Sequence, residues 1–306
     1  MLAEGIGGHT LLLASKTERS VLVAGEPDPT LAEADVAFGQ PNAADCMANR
    51  SLKWVEISSA GYTRYDTPEF RESFRARGAV FTNASLVYAD ACAEHALAMM
   101  LAVGRQLLPA YETQLGDHGW PQPGIRAGSR LLKGSTVVML GFGAIGRRLA
   151  QLLVPFDVRI YALRRQIRSE LGVHVVPEED LTKVLGAADH VVNLLPENEA
   201  TRNYVNARRI ACFRPGARFY NVGRGATVDQ RALIEALQSG RIGAAYLDVT
   251  SPEPLPPGDP LWTAPHCFIT PHTAGGRNDE NLELVRHFLA NLAAFEKGAP
   301  MNDRVL

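Results

Sequence analysis

The sequence has few of the features that support disulfide, metal or membrane chemistry. Its 306 residues include only four cysteines, which are far apart and form no CxxC pair. Such spacing matches neither a zinc cluster nor a disulfide framework, and it predicts reduced, packed thiols in a cytoplasmic protein. The N-terminus lacks the basic start and long apolar run of a signal peptide, and no segment is predicted to span a membrane.

The chain also has little net charge. Lysine and arginine total 31 against 33 acidic residues, which gives a formal net charge of -2. A balance so close to neutral offers no electrostatic basis for binding nucleic acid or an anionic membrane. The length, with 46% hydrophobic and 21% charged residues, is typical of a soluble globular protein with two domains.

The most informative stretch covers residues 137–150. A short apolar run is followed by G-x-G-x-x-G at Gly141, Gly143 and Gly146, and then by apolar residues at helical spacing. This order predicts a strand, a tight turn and a helix. The first glycine permits the turn, the second lets backbone approach a pyrophosphate, and the third lets helix and strand pack closely. The motif predicts a dinucleotide site at the helix N-terminus; the alternative is a glycine-rich turn that binds nothing.

Short apolar runs separated by helical patterns continue along the chain, and near-continuous apolar strands of this kind indicate parallel sheets. Strands are predicted at 10–14, 20–24, 34–39, 52–57, 137–140, 158–163, 173–176, 190–194, 218–222, 244–248 and 267–270. An almost wholly apolar helix is predicted over 94–105, a loop over 117–134, and a final helix capped by Asn278.

These patterns predict an α/β protein of two Rossmann-like or flavodoxin-like domains. Residues 106–274 would form the dinucleotide-binding domain around a parallel sheet. Residues 1–105 plus 275–306 would form a smaller, discontinuous substrate domain, because the final helix follows the last sheet strand and can return to the first domain.

Three polar side chains follow predicted strands in the second half of the chain. Ligands of open α/β sheets bind beyond the carboxyl ends of the strands, where Arg224, Glu253 and His272 are expected. A guanidinium between two glycines can bind a carboxylate, and an imidazole can give a proton to a carbonyl oxygen. A carboxylate beside such an imidazole favours its charged form. Each residue alone also suits a structural or solvated role; together they favour function.

A loop at Ser59, Ala60 and Gly61 follows the strand predicted at 52–57. Backbone N–H groups presented there could bind a carboxylate. An ordinary turn explains the local sequence equally well.

At this level of detail the chain resembles the D-isomer-specific 2-hydroxyacid dehydrogenases. The family's motifs occur in its order along almost the whole chain. The matching stretches are 52–55, 59–61, 93–98, 141–146, 221–225, 247–249, 253–256 and 270–275. The N-terminal region is shorter than the family's first domain, so we expect its first strand and helix to be trimmed.

The resemblance implies a role for each candidate residue. Arg224 would anchor the substrate carboxylate and carbonyl, His272 would be the acid–base group, and Glu253 would keep His272 charged. Residues 59–61 would receive the substrate carboxylate, and the family usually forms homodimers. The expected cofactor residues are Gly141, Gly143, Ala144, Ile145, Gly146, Arg164, Arg165, Leu195, Pro196, Thr201, Val222 and Asp248, the last lying near the nicotinamide.

One departure from the family's pattern concerns the choice of cofactor. NAD-dependent members have an acidic residue at the end of the second strand, where it accepts hydrogen bonds from the ribose. This chain has Arg164 and Arg165 there, with Arg168 close by. Arginines would bind a 2′-phosphate, which favours NADP over NAD; the alternative is that they are solvated surface charges.

The sequence therefore predicts a reductase that moves hydride between NAD(P)H and a small 2-keto acid, with glyoxylate or hydroxypyruvate favoured. The partner is a small molecule rather than nucleic acid or a membrane. One alternative is a non-catalytic dinucleotide sensor similar to corepressor relatives, and another is a phosphite or other acid dehydrogenase. Formate oxidation is disfavoured because that activity usually has glutamine in place of Glu253.

Overall fold

The computed structural model describes residues 1–15, 25–164 and 172–306. The strand predicted at 20–24 lies outside the described residues. The chain divides into two compact units, residues 1–88 with 276–306 and residues 89–275. The sequence predicted boundaries at 105/106 and 274/275, and the assignment of substrate binding to the first unit stays a prediction.

The described residues form eleven α-helices and ten strands. The helices are α1 (Leu2–Gly5), α2 (Ala43–Ala48), α3 (Pro68–Ala76), α4 (Ser85–Gly104), α5 (Leu107–Leu115), α6 (Gln122–Gly128), α7 (Ala144–Leu153), α8 (Leu181–Leu185), α9 (Ala207–Ile210), α10 (Gln230–Gln238) and α11 (Glu280–Glu296). The strands are β1 (Val36–Gly39), β2 (Trp54–Ile57), β3 (Val80–Thr82), β4 (Thr136–Leu140), β5 (Arg159–Leu163), β6 (Val173–Val176), β7 (His190–Asn193), β8 (Ala217–Asn221), β9 (Ile242–Leu247) and β10 (Cys267–Ile269).

The first unit contains a three-stranded parallel sheet in the order β1-β2-β3. The sequence analysis did not predict β3. The strand predicted at 10–14 is wrong. Residues 11–13 are leucines that stand 40%, 40% and 76% exposed, and within the described residues they pair with no strand. An apolar run becomes a strand only where a neighbour satisfies its backbone N–H and C=O groups.

Helix α11 packs its apolar stripe on the first sheet, as its spacing predicts. Phe288 stacks on Trp54 at 5.0 Å between ring centroids and on Phe38 at 4.5 Å. The expected cap at Asn278 is wrong, since the helix begins after Asp279. The Asp279 carboxylate does not cap the helix because it accepts two hydrogen bonds from Arg277 instead.

A buried cluster of charged groups joins α11 to this sheet. Glu56 is fully buried on β2, and its carboxylate accepts hydrogen bonds from Thr82 Oγ1 at 3.0 Å and from Asn291 Nδ2 at 2.6 Å. His287 Nδ1 donates to Glu56 at 3.1 Å, and Nε2 lies 3.2 Å from Asp303 Oδ2. Burial acts to lower the pKa of His287, but the two carboxylates outweigh it and raise the pKa to about 9.

This cluster predicts a loss of stability in alkali. His287 binds its proton more tightly in the folded chain than in the unfolded chain, so its contribution is complete below about pH 6.5 and is lost as the pH rises through about 9. We expect the free energy of unfolding to fall by about 3 kcal/mol across that window. Urea titrations over a pH series measure it. The variant His287→Gln should show no such fall, and parallel curves for the two proteins would contradict the prediction.

The second unit contains a seven-stranded parallel sheet in the order β10-β9-β8-β7-β4-β5-β6. All seven strands predicted between 137 and 270 are present. The chain order reverses between β4 and β7, and open α/β sheets bind ligands in the crevice at the carboxyl ends of such a pair. The glycine motif follows β4, so the fold puts it at this switch point.

Two elements around the start of this unit differ from the sequence predictions. Helix α4 is long and apolar enough to cross a membrane by length and composition, although none was predicted. Its Ala93, Ala96 and Met100 are at most 1% exposed, which is typical of a core helix. Part of the loop predicted over 117–134 is α6, where Pro123 lies in the first turn and removes no helical hydrogen bond.

Candidate active site

The glycine motif forms the turn and helix start that a dinucleotide requires. Gly141 has φ +95°, and Gly146 lies so close to the β7 loop that a Cβ there would be 3.2 Å from Leu194 Cδ1. Gly143 precedes α7 and faces open space, with nothing within 4 Å of a Cβ position. Among the residues that the structure describes, no side chain caps α7, so the N–H groups of Ala144 and Ile145 are available to an anion. These features fit a bound pyrophosphate.

The other cofactor candidates lie on the loops after β7 and β8. Leu195 and Val222 are buried, at 9% and 5% exposed. The Thr201 hydroxyl donates to the Pro196 carbonyl at 2.6 Å and accepts from the Asn198 N–H at 2.9 Å. Thr201 therefore shapes the 196–201 turn, which follows β7 at the switch point.

Arg224 lies in a turn that the buried end of β8 holds in place. Its carbonyl accepts hydrogen bonds from Asn221 Nδ2 at 3.1 Å and Thr227 Oγ1 at 2.6 Å. A Cβ at Gly225 would lie 1.8 Å from the Thr250 carbonyl oxygen, so only glycine permits this approach. The guanidinium donates to the Gly223 carbonyl at 2.7 Å. The hydrogen bonds to the Arg224 carbonyl hold the backbone of this turn, and they do not involve the guanidinium.

His272 and Glu253 form a hydrogen-bonded pair. His272 Nδ1 donates to Glu253 Oε2 at 2.8 Å, and the Thr250 N–H donates to Glu253 Oε1 at 2.9 Å. Burial acts to raise the pKa of Glu253, but these hydrogen bonds and the charges of His272 and Arg224 lower it below its usual value. Glu253 is thus a carboxylate at neutral pH. Since Nδ1 carries the shared proton, Nε2 is the nitrogen that can serve a substrate.

Asp248 organises the loop that carries His272. Its carboxylate is 3% exposed and accepts hydrogen bonds from the N–H groups of Thr273 at 2.8 Å and Ala274 at 2.9 Å. Its carbonyl accepts from the His272 N–H at 2.8 Å. His272 itself has φ +52°, a left-handed conformation that is uncommon outside glycine. Asp248 therefore fixes the backbone of the loop from which the His272 imidazole extends.

The predicted substrate loop lies in the first unit and is held by side chains from two neighbouring segments. Gln40 Nε2 donates to Ser59 Oγ at 3.1 Å, and Asn83 Nδ2 donates to the Ala60 carbonyl at 2.8 Å. Ser59 Oγ donates to the Gly61 carbonyl at 2.8 Å. Within the part of the chain that the structure describes, the N–H groups of Ala60 and Gly61 have no acceptor, which suits an anionic ligand.

The arginines proposed for the cofactor ribose are only partly described. Arg164 follows the last residue of β5 and is partly buried. Arg165 and Arg168 lie outside the described residues.

Within the second unit the structure thus brings His272, Glu253 and the charge of Arg224 together. Sequence reasoning missed two residues behind them, His95 of α4 and Tyr246 of β9, which are hydrogen-bonded to each other. An imidazole in the middle of an otherwise apolar helix was the available signal for His95. Tyr246 gave none, because a tyrosine in a buried strand is ordinary.

The strand order, the glycine turn and the polar groups define a nicotinamide-dependent dehydrogenase. A family model described as D-isomer specific 2-hydroxyacid dehydrogenase, NAD binding domain, matches residues 97–274. The chain belongs to the D-isomer specific 2-hydroxyacid dehydrogenase family, and it is an NAD(P)-dependent enzyme of that class.

Three relatives show how far the likeness extends. A glyoxylate reductase from Thermofilum pendens is 32% identical over 81% of this chain and 73% of its own. A 2-hydroxyacid dehydrogenase from Xanthobacter autotrophicus, solved with NADPH and MES, is 27% identical with a TM-score of 0.82 and covers 100% of this chain and 92% of its own. An NADPH-dependent glyoxylate/hydroxypyruvate reductase from Sinorhizobium meliloti, solved with NADP and sulfate, is 26% identical with a TM-score of 0.75 and covers 91% and 88%.

Proposed function

We propose that this chain reduces a small 2-keto acid to the D-2-hydroxy acid, with glyoxylate or hydroxypyruvate preferred and NADPH as the reductant. The observation that carries the proposal is the 2.8 Å hydrogen bond between His272 Nδ1 and Glu253 Oε2. It lies at the same sheet edge as Arg224 and the glycine turn. A proton donor, a carboxylate hydrogen-bonded to it and a guanidinium are the groups that reduction of a keto acid requires.

In this mechanism each side chain acts on a different part of the substrate. The Arg224 guanidinium donates hydrogen bonds to the carboxylate and polarises the adjacent carbonyl. A nicotinamide held at the glycine turn would supply the hydride that the carbonyl carbon accepts. His272 gives the proton of Nε2 to the carbonyl oxygen, which leaves a hydroxyl group on the product and a neutral imidazole. Glu253 stabilises the charged imidazole before that transfer and fixes its orientation through Nδ1. The N–H groups of residues 60 and 61 are proposed to bind the substrate carboxylate.

A screen of 2-keto acids with NADPH and NADH tests the proposal. We expect NADPH oxidation with glyoxylate or hydroxypyruvate to exceed that with bulkier 2-keto acids. The names of the two reductases above support this choice. Binding of NADPH without turnover on any 2-keto acid would instead indicate the dinucleotide sensor, and reduction of NADP by phosphite would indicate the phosphite dehydrogenase.

The proposed preference for NADP depends on Arg164. This residue directly follows β5, the strand next to β4, where the ribose of a dinucleotide on the glycine turn is expected. A guanidinium there would pair with the 2′-phosphate that NADP has and NAD lacks. The NADPH and NADP complexes of the two structural relatives are consistent with this choice.

The variant Arg164→Ala should lower kcat/KM for NADPH by about 10- to 100-fold, the usual effect of losing a charge-assisted hydrogen bond. Its kcat/KM for NADH should stay within about twofold of the wild-type value, since no phosphate is present to lose a partner. NADH is thus the internal control. An equal loss with both cofactors, or a wild-type preference for NADH, contradicts the proposal.

We also propose a cytoplasmic homodimer with no nucleic-acid or membrane partner. A second copy would cover large apolar side chains that stand more than half exposed along one segment, whereas exposed apolar groups of soluble monomers are usually scattered. They are Leu107, Tyr111, Leu115, Trp120 and Leu131. Light scattering at several concentrations measures the mass, and a monomer throughout contradicts the dimer.

A further inference from the structure

A continuous line of polar side chains runs behind the loop that carries His272. His95 Nε2 is hydrogen-bonded to the Tyr246 hydroxyl, and that hydroxyl is hydrogen-bonded to Thr270 Oγ1. Thr270 Oγ1 donates to Asp248 Oδ1 at 2.5 Å. All four residues belong to the second unit, yet they come from α4, from β9 and the residue directly after it, and from the loop after β10. The mechanism proposed above uses none of these four side chains.

The protons in the line can have only one order. Thr270 Oγ1 donates its proton to Asp248 Oδ1, and the same carboxylate accepts from two backbone N–H groups. Thr270 then has no proton left for Tyr246, and Tyr246 must donate to Thr270. His95 Nε2 is therefore the donor to Tyr246. Burial, opposed by the charge of Asp248, lowers the pKa of His95, and a neutral ring with its proton on Nε2 satisfies this order.

The line ends where the backbone of His272 is held. Asp248 accepts the N–H groups of the two residues after His272 through its carboxylate and the N–H of His272 through its carbonyl. The left-handed φ of +52° at His272 is disfavoured for a residue with a side chain and persists only where its surroundings enforce it. The Asp248 carboxylate, oriented by Thr270, holds the two N–H groups that follow His272 and so contributes to enforcing it.

We infer that His95 and Tyr246 are positioning residues for the proton-transfer step. By fixing the Thr270 hydroxyl, they fix the Asp248 carboxylate and so the backbone from which the imidazole of His272 extends. Neither residue touches the reacting atoms. The inference rests on the proposed function of His272 and adds to it the groups that determine how well its proton is aligned.

The sheet provides a matched control. Tyr220 on β8 is paired in register with Tyr246 on β9, and both are 0% exposed. The Tyr220 hydroxyl is also hydrogen-bonded to an imidazole, His190 Nδ1 at 3.1 Å. In the described residues that pair has no hydrogen bond to the 270–274 loop. The variant Tyr220→Phe therefore measures the general effect of losing a buried tyrosine–histidine hydrogen bond.

The test compares Tyr246→Phe with Tyr220→Phe in the full chain, using glyoxylate and NADPH. We expect Tyr246→Phe to lower kcat by about tenfold, the effect of one lost hydrogen bond. KM for glyoxylate and Kd for NADPH should change by less than about twofold, and the solvent deuterium isotope effect on kcat should increase because proton transfer becomes slower. Tyr220→Phe should change none of these. Equal kcat values in the two variants overturn the inference.

Thr270 gives a second, independent readout. Thr270→Ser keeps the hydroxyl and should retain the wild-type kcat, whereas the nearly isosteric Thr270→Val should reproduce the loss seen in Tyr246→Phe. Equal activity of the serine and valine variants overturns the inference even if Tyr246→Phe does not fold. A wild-type chain that reduces no 2-keto acid overturns the proposed function and this inference with it. If the wild-type chain is active and the kcat of Tyr246→Phe equals that of the wild type, this inference alone is overturned.

Discussion

Replacing His272 with asparagine is expected to lower kcat for 2-keto acid reduction by about 10²–10⁴-fold, the usual contribution of a positioned general acid. In the proposed site the His272 imidazole uses Nδ1 for Glu253 and leaves Nε2 for the substrate, whereas Glu253 is ionised. Asparagine is chosen because it tolerates the left-handed backbone at this position. Kd for NADPH, measured by fluorescence, should not change.

His266 offers a matched control for this substitution. It has φ +54°, close to that of His272, and it is exposed. The variant His266→Asn therefore makes the same chemical change on the same kind of backbone, away from Glu253. We expect it to keep the wild-type kcat. If the kcat of His272→Asn were within a few-fold of the kcat of His266→Asn, His272 would not be the proton donor.

Removal of the Arg224 side chain is expected to have an effect of similar size. Arg224→Ala should lower kcat/KM by about 10²–10³-fold, equivalent to roughly 3–4 kcal/mol of transition-state stabilisation. The hydrogen bonds that hold the turn are made by the carbonyl of Arg224 and by its neighbours, so the fold should be retained. The loss should include a higher KM, because the substrate carboxylate loses its partner in the ground state as well.

Arg224→Lys separates charge from geometry. Lysine keeps the positive charge but cannot form two parallel hydrogen bonds to a carboxylate, so its kcat/KM should lie between those of wild type and Arg224→Ala. Arg231→Ala is the control, because the Arg231 side chain on α10 is 90% exposed. It should leave kcat/KM unchanged. A value for Arg224→Ala near that of Arg231→Ala would exclude the proposed anchor.

The second unit was the more predictable part of the fold, for a physical reason. Six of its strands are four to six residues long and β10 has three residues. Most of their residues are buried. Continuous apolar runs and glycine turns are therefore visible in the sequence. Once the sheet is parallel, all strand ends meet at one edge, which is why the contact between residues 253 and 272 could be expected. The strand predicted at 10–14 is absent and β3 was not predicted. Whether such a short run forms a strand depends on a neighbouring strand with which it can pair.

The buried networks could not be predicted from the sequence. Glu56 and His287 are separated by 231 positions, and His95 and Tyr246 by 151. No local pattern distinguishes a buried glutamate in a short strand from an edge residue that faces water. Their roles follow only from three-dimensional proximity, which in turn depends on how the sheets and helices pack.

The turn at Gly225 has a practical consequence for redesign. The backbone beside Arg224 touches the Thr250 carbonyl, and the N–H of that same Thr250 binds Glu253. Thr250 therefore contacts both the turn that carries Arg224 and Glu253, the hydrogen-bond partner of His272. A substitution at Gly225 would displace Thr250 and so disturb the positions of Arg224 and Glu253 together. Mutant libraries that aim to change substrate preference should therefore keep glycine at position 225 and vary residues that do not contact this turn.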